Sequence, residues 1–356
     1  MDFLLAKDDL HRCRFDDRPS PEPGDGQALL RIDAFGLTSN NITYATFGEA
    51  MSYWSFFPAE DGWGRMPVWG FAEVLSSAVA ELEPGTRVYG YLPPSSELLV
   101  TPSRAGAHGF IDAAAHRAQL PAAYNRYARV DGDPMYDARH EDEQMLLRPL
   151  FLTSYLIDDF LDDADFFAAD TVVLSSASSK TASALAFLLA QRDGIDIVGL
   201  TSARSAGFAR ALGVYDHVVA YDELESLPDG RAVYVDMAGD AQLRSAVHNH
   251  YSEQLAHSAV VGATHHDRMG AVPDSLPGPR PTFFFAPDRV AKRSADWGAA
   301  ELERRMGDAW RPYVQWTAGW LKVAHGRGAD ALRSAYLDLL DGRIDPASAH
   351  VLSLPR

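Results

Sequence analysis

The chain has 356 residues, 47% apolar and 23% charged, a balance that fits a soluble globular protein with a core large enough for two domains. A formal charge of −17 repels nucleic acid, anionic membranes and other polyanions as main partners, though a small anionic ligand can still occupy a local positive pocket. The single cysteine, Cys13, excludes an intramolecular disulfide and a multi-cysteine zinc lobe.

The opening stretch "MDFLLAKDDLHRCRF" is interrupted by charge too early for a signal peptide. No apolar run approaches the roughly 18 residues of a membrane helix, so a soluble, cytoplasmic protein is expected. Residues 1–145 read as β-rich. "QALLRIDAFGL" alternates like a strand, and "LEPGTRVYGYLPP" joins a Pro-Gly turn to a β-branched and aromatic run. The polar, acidic stretch 131–144 reads as a surface excursion.

From 146 the period changes. "LLRPLFLTSYLIDDFLDDADFF" is helical, and strands follow at Thr171–Leu174, Ile195–Leu200, His217–Ala220, Ala232–Asp236 and Ser258–Gly262. Helices are predicted between them at about 179–192, 205–212 and 240–255, an alternation that implies a parallel, doubly wound sheet. Long helices at about 294–324 and 328–341 close the chain. The fold class is therefore α/β, in three segments: a β-rich part over 1–145, the doubly wound part over 146–290, and a C-terminal part over 291–356 that completes the first.

The turn after the first of these strands, in "VVLSSASSKTASALAFLLA", lies where a phosphate-binding loop is expected, yet it has no glycine. Ser175, Ser176, Ser178 and Ser179 occupy it, with Lys180 and Thr181 behind. Serine hydroxyls and amides can bond an anion, and serine also caps helices. "SSASSKT" echoes a phosphate loop ending in Lys-Thr, but both glycines of that motif are missing. The second strand closes on Thr201 and Ser202, with Arg204 close behind. An acidic residue there would favour the free ribose of NAD, whereas hydroxyls and a cation favour a 2′-phosphate and hence NADP.

At this point the chain resembles the medium-chain dehydrogenase/reductase superfamily, in particular its zinc-free quinone oxidoreductase and enoyl reductase branch. The stretch "VVLSSASSKTASALAFLLA…IVGLTSARSAGFARALGVYDHVVAYD" follows the superfamily's strand, loop, helix and strand. "VYVDMAG" and "HSAVVGAT" are similar to its later strand ends, "FLTSY" to the start of its helix beneath the nicotinamide, and "NNITYATFG" to a quinone-oxidoreductase segment. "PVWGFAEVLSSAVAELEPGTRVYGY" resembles the stretch that leads to its Gly-Asp-Arg-Val-Tyr-Gly turn, with "WGFAE" where the zinc signature would stand. The resemblance implies a GroES-like catalytic domain beside a Rossmann-type domain, no metal, NADPH as cofactor and a homodimer. It places Thr153, Tyr221, Gly262 and Phe285 with the serine loop around the cofactor.

For chemistry, a zinc-free reductase needs a cofactor hydride and a proton donor. By resemblance Tyr44 is the donor, although a packed aromatic explains it equally well. Asn41 could bond a substrate carbonyl, and "SNN" is also good turn chemistry. His265, just past a core strand, is a second acid candidate. "HNHY" places His248 and His250 two apart on a helix, which gives no chelate. The aromatic runs at 51–71 and 282–288 suit an apolar small-molecule substrate as well as core packing. The expected function is reduction of an activated C=C or carbonyl. The rivals are a lyase or aldolase-like enzyme without a redox dinucleotide, and a non-catalytic binding protein.

Overall fold

The computed structural model describes residues 1–261 and 276–355, and the chain divides into two units, Met1–Leu146 with Leu321–Arg356, and Leu147–Trp320. The first unit begins with β1 (Asp2–Ala6), β2 (Asp9–Asp16), β3 (Ala28–Leu37), α1 (Ser39–Thr46), β4 (Trp63–Gly64) and β5 (Val68–Ser77). It continues through β6 (Arg87–Leu92), β7 (Glu97–Val100), β8 (Pro102–Gly106), β9 (Gly109–Asp112) and β10 (Arg126–Arg129). In β3 the apolar positions go to the core, while Arg31 and Asp33 sit half-buried and reach charges on β5 and on β6 beyond it. Arg31 pairs with Glu73 of β5 at 2.6 Å, and Asp33 accepts from Arg87 of β6 at 3.0 Å. "SNN" is the first turn of α1, with Thr38 N–H donating to Asn41 Oδ1 at 2.8 Å as a cap. The stretch 131–144 is not a plain excursion, since Met135 is buried and Glu141 is held by Arg87 and Tyr136.

The unit boundary falls inside α2 (Glu141–Asp163). Beyond it come β11 (Thr171–Leu174), α3 (Lys180–Leu189), β12 (Asp196–Thr201), α4 (Ala203–Ala211), β13 (His217–Ala220), β14 (Ala232–Asp236), α5 (Ala241–Tyr251), β15 (Leu255–Val260) and β16 (Thr282–Phe283). These strands form one parallel sheet in the order β13-β12-β11-β14-β15-β16, the doubly wound arrangement the alternation implied. Neighbours on both sides and helices on the faces leave β11 and β14 wholly buried, which is why both read as continuous apolar runs. Val173, Val198, Leu200, Tyr234 and Val247 belong to the core of this unit. Ser179 caps α3 and Asp240 caps α5 through their side chains.

The single long helix expected at 294–324 is two helices, α6 (Ala286–Trp297) and α7 (Ala299–Thr317). Gly298 breaks them with φ of +86°, a conformation that favours glycine. The chain re-enters the first unit at Leu321, not at 291 as expected. Tyr313 and Trp316 of α7 pack on Phe187 of α3, which keeps this helix with the second unit. The chain ends with β17 (Lys322–Arg327), α8 (Ala329–Leu340) and β18 (Ser348–Ser353), giving the sheet order β17-β18-β3-β5-β6-β10-β9-β8, with β7 on β3. The expected strand to Gly262 runs instead from Leu255 to Val260. No described helix is long and apolar enough to cross a membrane.

Between α2 and β11, Asp165, Phe166, Phe167 and Ala168 take φ of 46°, 49°, 56° and 55°. A left-handed turn of non-glycine residues costs about 1–2 kcal/mol per residue. Buried Phe166 and Phe167, whose ring stacks on His257 at 4.2 Å, hold it in place. Ala168→Gly should therefore stabilise the protein by about 0.5–1 kcal/mol in urea unfolding, the relieved strain exceeding the added unfolded-state entropy. A second expectation comes from the tyrosines Tyr91, Tyr127 and Tyr234, which are fully enclosed; burial raises each phenol above its usual 10. Above pH 10 the unfolded chain loses phenolic protons that the folded chain keeps, so stability should fall steadily with rising pH there and be unaffected by these groups below pH 9. Unfolding free energies measured across pH 8–12 check this.

Candidate functional site

The loop after β11 lies where the strand order reverses, between β12 and β14, the place where open parallel sheets bind ligands. Ser175 is fully buried. Its Oγ donates to Asp236 Oδ1 at 2.9 Å and accepts from the N–H groups of Met237 at 2.9 Å and Ala238 at 3.0 Å. That uses the one donor and both acceptor positions of a hydroxyl, so Ser175 is corrected from a cofactor contact to a structural tie. Asp236 is equally buried and also accepts from Ala238 N–H, Gly239 N–H and Arg244 Nη1, the last at 2.8 Å.

Ser176 sits in the left-handed region, with φ of 55°. Its N–H donates to Tyr221 Oη at 3.1 Å, and its carbonyl accepts from Ser179 N–H at 2.7 Å. Tyr221 therefore faces the loop itself, and burial pushes its phenol up to about 12. Ala177 N–H donates to Leu200 O at 2.9 Å, and Tyr215 Oη donates to Ala177 O at 2.8 Å. A Cβ at Gly199 would stand 2.8 Å from both the Ala177 Cβ and the Tyr215 ring, so only glycine lets β12 come this close.

Thr201 Oγ1 donates to Ser178 Oγ at 3.2 Å, which joins the end of β12 to the start of α3. Ser179 Oγ accepts from Ala182 N–H at 3.2 Å. Among the described residues, the N–H groups of Ser178 and Thr181 have no partner, and half-buried Lys180 is the first residue of α3. A helix of ten residues with open N–H groups and a serine cap favours an anion at this point. On the β12 side, Thr201 is buried, while Ser202 and Arg204 are exposed at the start of α4, with no carboxylate between 201 and 212. Arg204 forms no ion pair with a described residue. These residues fit a dinucleotide phosphate at α3 and a second phosphate at β12.

Other candidates fall differently. Thr153 Oγ1 donates back to Pro149 O at 3.1 Å within α2, while its neighbour Ser154, fully buried, donates to Thr181 O at 2.8 Å. Phe285 is the cap residue of α6 and its exposed ring stacks on Phe283. Gly262 and His265 lie outside the described residues. His248 is buried between Pro277 O at 2.8 Å and Ser258 Oγ at 2.9 Å, and burial depresses its pKa. Among the described residues, no three His, Cys, Asp or Glu side chains converge as metal ligands.

In the first unit, Asn41 is corrected from a substrate contact to a cap. Its Oδ1 accepts from Thr38 N–H and its Nδ2 donates to Pro67 O at 3.0 Å. Tyr44 is buried in an aromatic group with Phe56, Phe57 and Tyr91, flanked by Tyr53, Trp69 and Tyr124. Trp69 Nε1 donates to Tyr44 Oη at 3.4 Å. Burial, aided by Tyr53, raises the Tyr44 phenol well above 10, and hydrogen bonding with Trp69 and Asn40 offsets only part of the rise. The phenol is thus neutral throughout the physiological range.

A family model described as "Protein of unknown function (DUF2855)" matches residues 35–345. The chain belongs to the DUF2855 family. No curated protein sequence matches this DUF2855 protein significantly. Solved structures do. CurA from Vibrio vulnificus in complex with NADPH is 17% identical at a TM-score of 0.61, over 97% of this chain and 94% of that one. The YhdH oxidoreductase from Salmonella enterica in complex with NADP is 13% identical at a TM-score of 0.55, and the CurK enoyl reductase 14% identical at 0.58, each covering 99% of both chains. At these identities the likeness establishes the fold alone, an α/β fold with a doubly wound parallel sheet as the sequence implied.

Four residues of this DUF2855 protein escaped the reading of its sequence: Ser154, Gly199, Tyr215 and the Asp236–Arg244 pair's arginine. The one legible signal was an aspartate closing an apolar strand eight residues before an arginine on a capped helix. Ser175→Ala should cost about 1–3 kcal/mol, because it removes a buried hydroxyl that bonds Asp236 and the N–H groups of Met237 and Ala238. Asp236→Ala should cost more, about 3–5 kcal/mol, since it strands buried Arg244. Urea unfolding measures both, and a neutral Ser175→Ala would return that hydroxyl to the ligand side.

Proposed function

We propose that this DUF2855 protein is an NADPH-dependent oxidoreductase that reduces an activated C=C or carbonyl of a small apolar or aromatic compound. The observation that carries this is the acid-free end of β12, with Thr201, Ser202 and Arg204, beside an α3 N-terminus whose Ser178 and Thr181 N–H groups are open. Hydroxyls and a guanidinium favour a phosphate on the adenosine ribose, while a carboxylate would repel it. Structures with the same fold that are complexes with NADPH or NADP support the assignment.

NADPH, when bound, supplies the hydride. Lys180, Ser178 and Thr181 hold the pyrophosphate, and Arg204 with Ser202 holds the 2′-phosphate. In the first unit Tyr44 would give the proton, as a neutral phenol held by Trp69 and set among aromatic rings. That aromatic surrounding favours an uncharged substrate over an anionic one. A homodimer, implied by the superfamily resemblance, belongs to the proposal and is checked by sedimentation.

Fluorescence titration with NADPH and NADH tests the cofactor. NADPH should bind more tightly. Arg204→Ala should weaken NADPH by about 1.5–3 kcal/mol, the worth of a hydrogen bond to a charged group, and leave NADH nearly unchanged. Equal losses would remove Arg204 from the discriminating role, and silence with both nucleotides would favour the reading without a redox dinucleotide.

Tyr44→Phe removes only a hydroxyl, so fold and NADPH affinity should persist while turnover falls by at least roughly tenfold, toward the low end of general acid catalysis. Since the raised phenol keeps its proton, the wild-type rate should show no alkaline loss from this group up to pH 10. Unchanged turnover in Tyr44→Phe would make the tyrosine a packing residue.

A further inference from the structure

We propose that Tyr221 is a positioning residue for the serine loop, whose hydroxyl holds the Ser176 amide so that a serine can keep the left-handed conformation that glycine usually supplies. This rests on reading the loop as the dinucleotide site. A non-glycine residue in that region costs free energy and persists only where its surroundings over-determine it. Ser176 has φ of 55° and is buried, so its N–H must find a partner inside the protein. Tyr221 provides that partner at 3.1 Å.

The tyrosine is itself fixed from behind, since its N–H donates to Thr201 O at 2.9 Å at the end of β12. The phenol therefore spans from the end of β13 past β12 to the loop leaving β11. On the far side of Ser176, its carbonyl accepts from Ser179 N–H at 2.7 Å, so the conformation of Ser176 sets where the cap residue of α3 stands. Through that link the hydroxyl of Tyr221 aims the Ser178 and Thr181 N–H groups without touching a nucleotide. The Ser176 amide takes the acceptor side of the phenol, whereas a direct contact to a ribose phosphate would use its O–H, so nucleotide selectivity tells the two roles apart.

The test uses Tyr221→Phe, Ser176→Gly and the double variant. Two measurements are made on each: hydrogen–deuterium exchange of residues 175–181 in nucleotide-free protein, and dissociation constants for NADPH and NADH. Tyr221→Phe should speed loop exchange and weaken both nucleotides by the same factor, about fivefold for the net loss of one hydrogen bond. Ser176→Gly alone should bind at least as well as the wild type, because glycine holds the conformation unaided. In the double variant, affinity should return to within about twofold of Ser176→Gly, the coupling expected of two residues in one contact.

A loss confined to NADPH would overturn the proposal, since it would place the hydroxyl on the 2′-phosphate. So would unchanged exchange in Tyr221→Phe, or additive losses without recovery by glycine. A wild type that binds neither nucleotide overturns the cofactor assignment and the positioning role with it, whereas binding by the wild type together with an insensitive loop overturns the positioning role alone.

Discussion

A carboxylate enclosed with its partners at the end of β14 is the constraint on which the second unit depends. Asp236 has no access to solvent and meets a guanidinium, a hydroxyl and two N–H groups. An ion removed from water is tolerable only where every lone pair is answered, so each of these partners is fixed in place by the cost of leaving it. The consequences spread in three directions. Arg244 orients α5, the Met237–Gly239 turn wraps the carboxylate, and Ser175 seats the start of the loop on the switch point of the sheet.

That seating explains how a dinucleotide-type fold can do without its glycines. In a glycine loop, backbone freedom and small size let the turn close tightly. Here hydroxyls and strand ends do the closing: Ser175 to β14, Ala177 to β12, Ser176 to the tyrosine after β13. The close approach has moved rather than vanished, because Gly199 on β12 now supplies the space beside Ala177 and Tyr215. The serines are thus not equivalent. Ser175 and Ser176 belong to the scaffold, whereas among the described residues the Ser178 and Thr181 N–H groups keep no partner.

In the first unit the surroundings of Tyr44 are mainly aromatic. Tyr44 lies among rings that raise its phenol and keep it neutral, and the asparagine beside it in sequence, Asn41, is consumed in starting the helix that carries it. A neutral donor in an apolar setting loses nothing by desolvation when a neutral substrate approaches, whereas a charged one would.

Period and punctuation were enough to read the parallel sheet: Thr171–Leu174, His217–Ala220 and Ala232–Asp236 emerge as written, the first and last because a strand buried on both faces must be apolar throughout and local pattern records that. The hydroxyls and the arginine after β12 were legible for the same reason, as residue types at a strand end. Tertiary structure decided which of those polar groups remain available. Sequence shows four serines in one turn, but a hydroxyl has few bonds to give, and whether they go to a ligand or to Asp236 depends on a strand 61 residues away. The assignment of α7 to the second unit was hidden likewise, since it rests on packing of Tyr313 and Trp316 against Phe187, more than a hundred residues earlier.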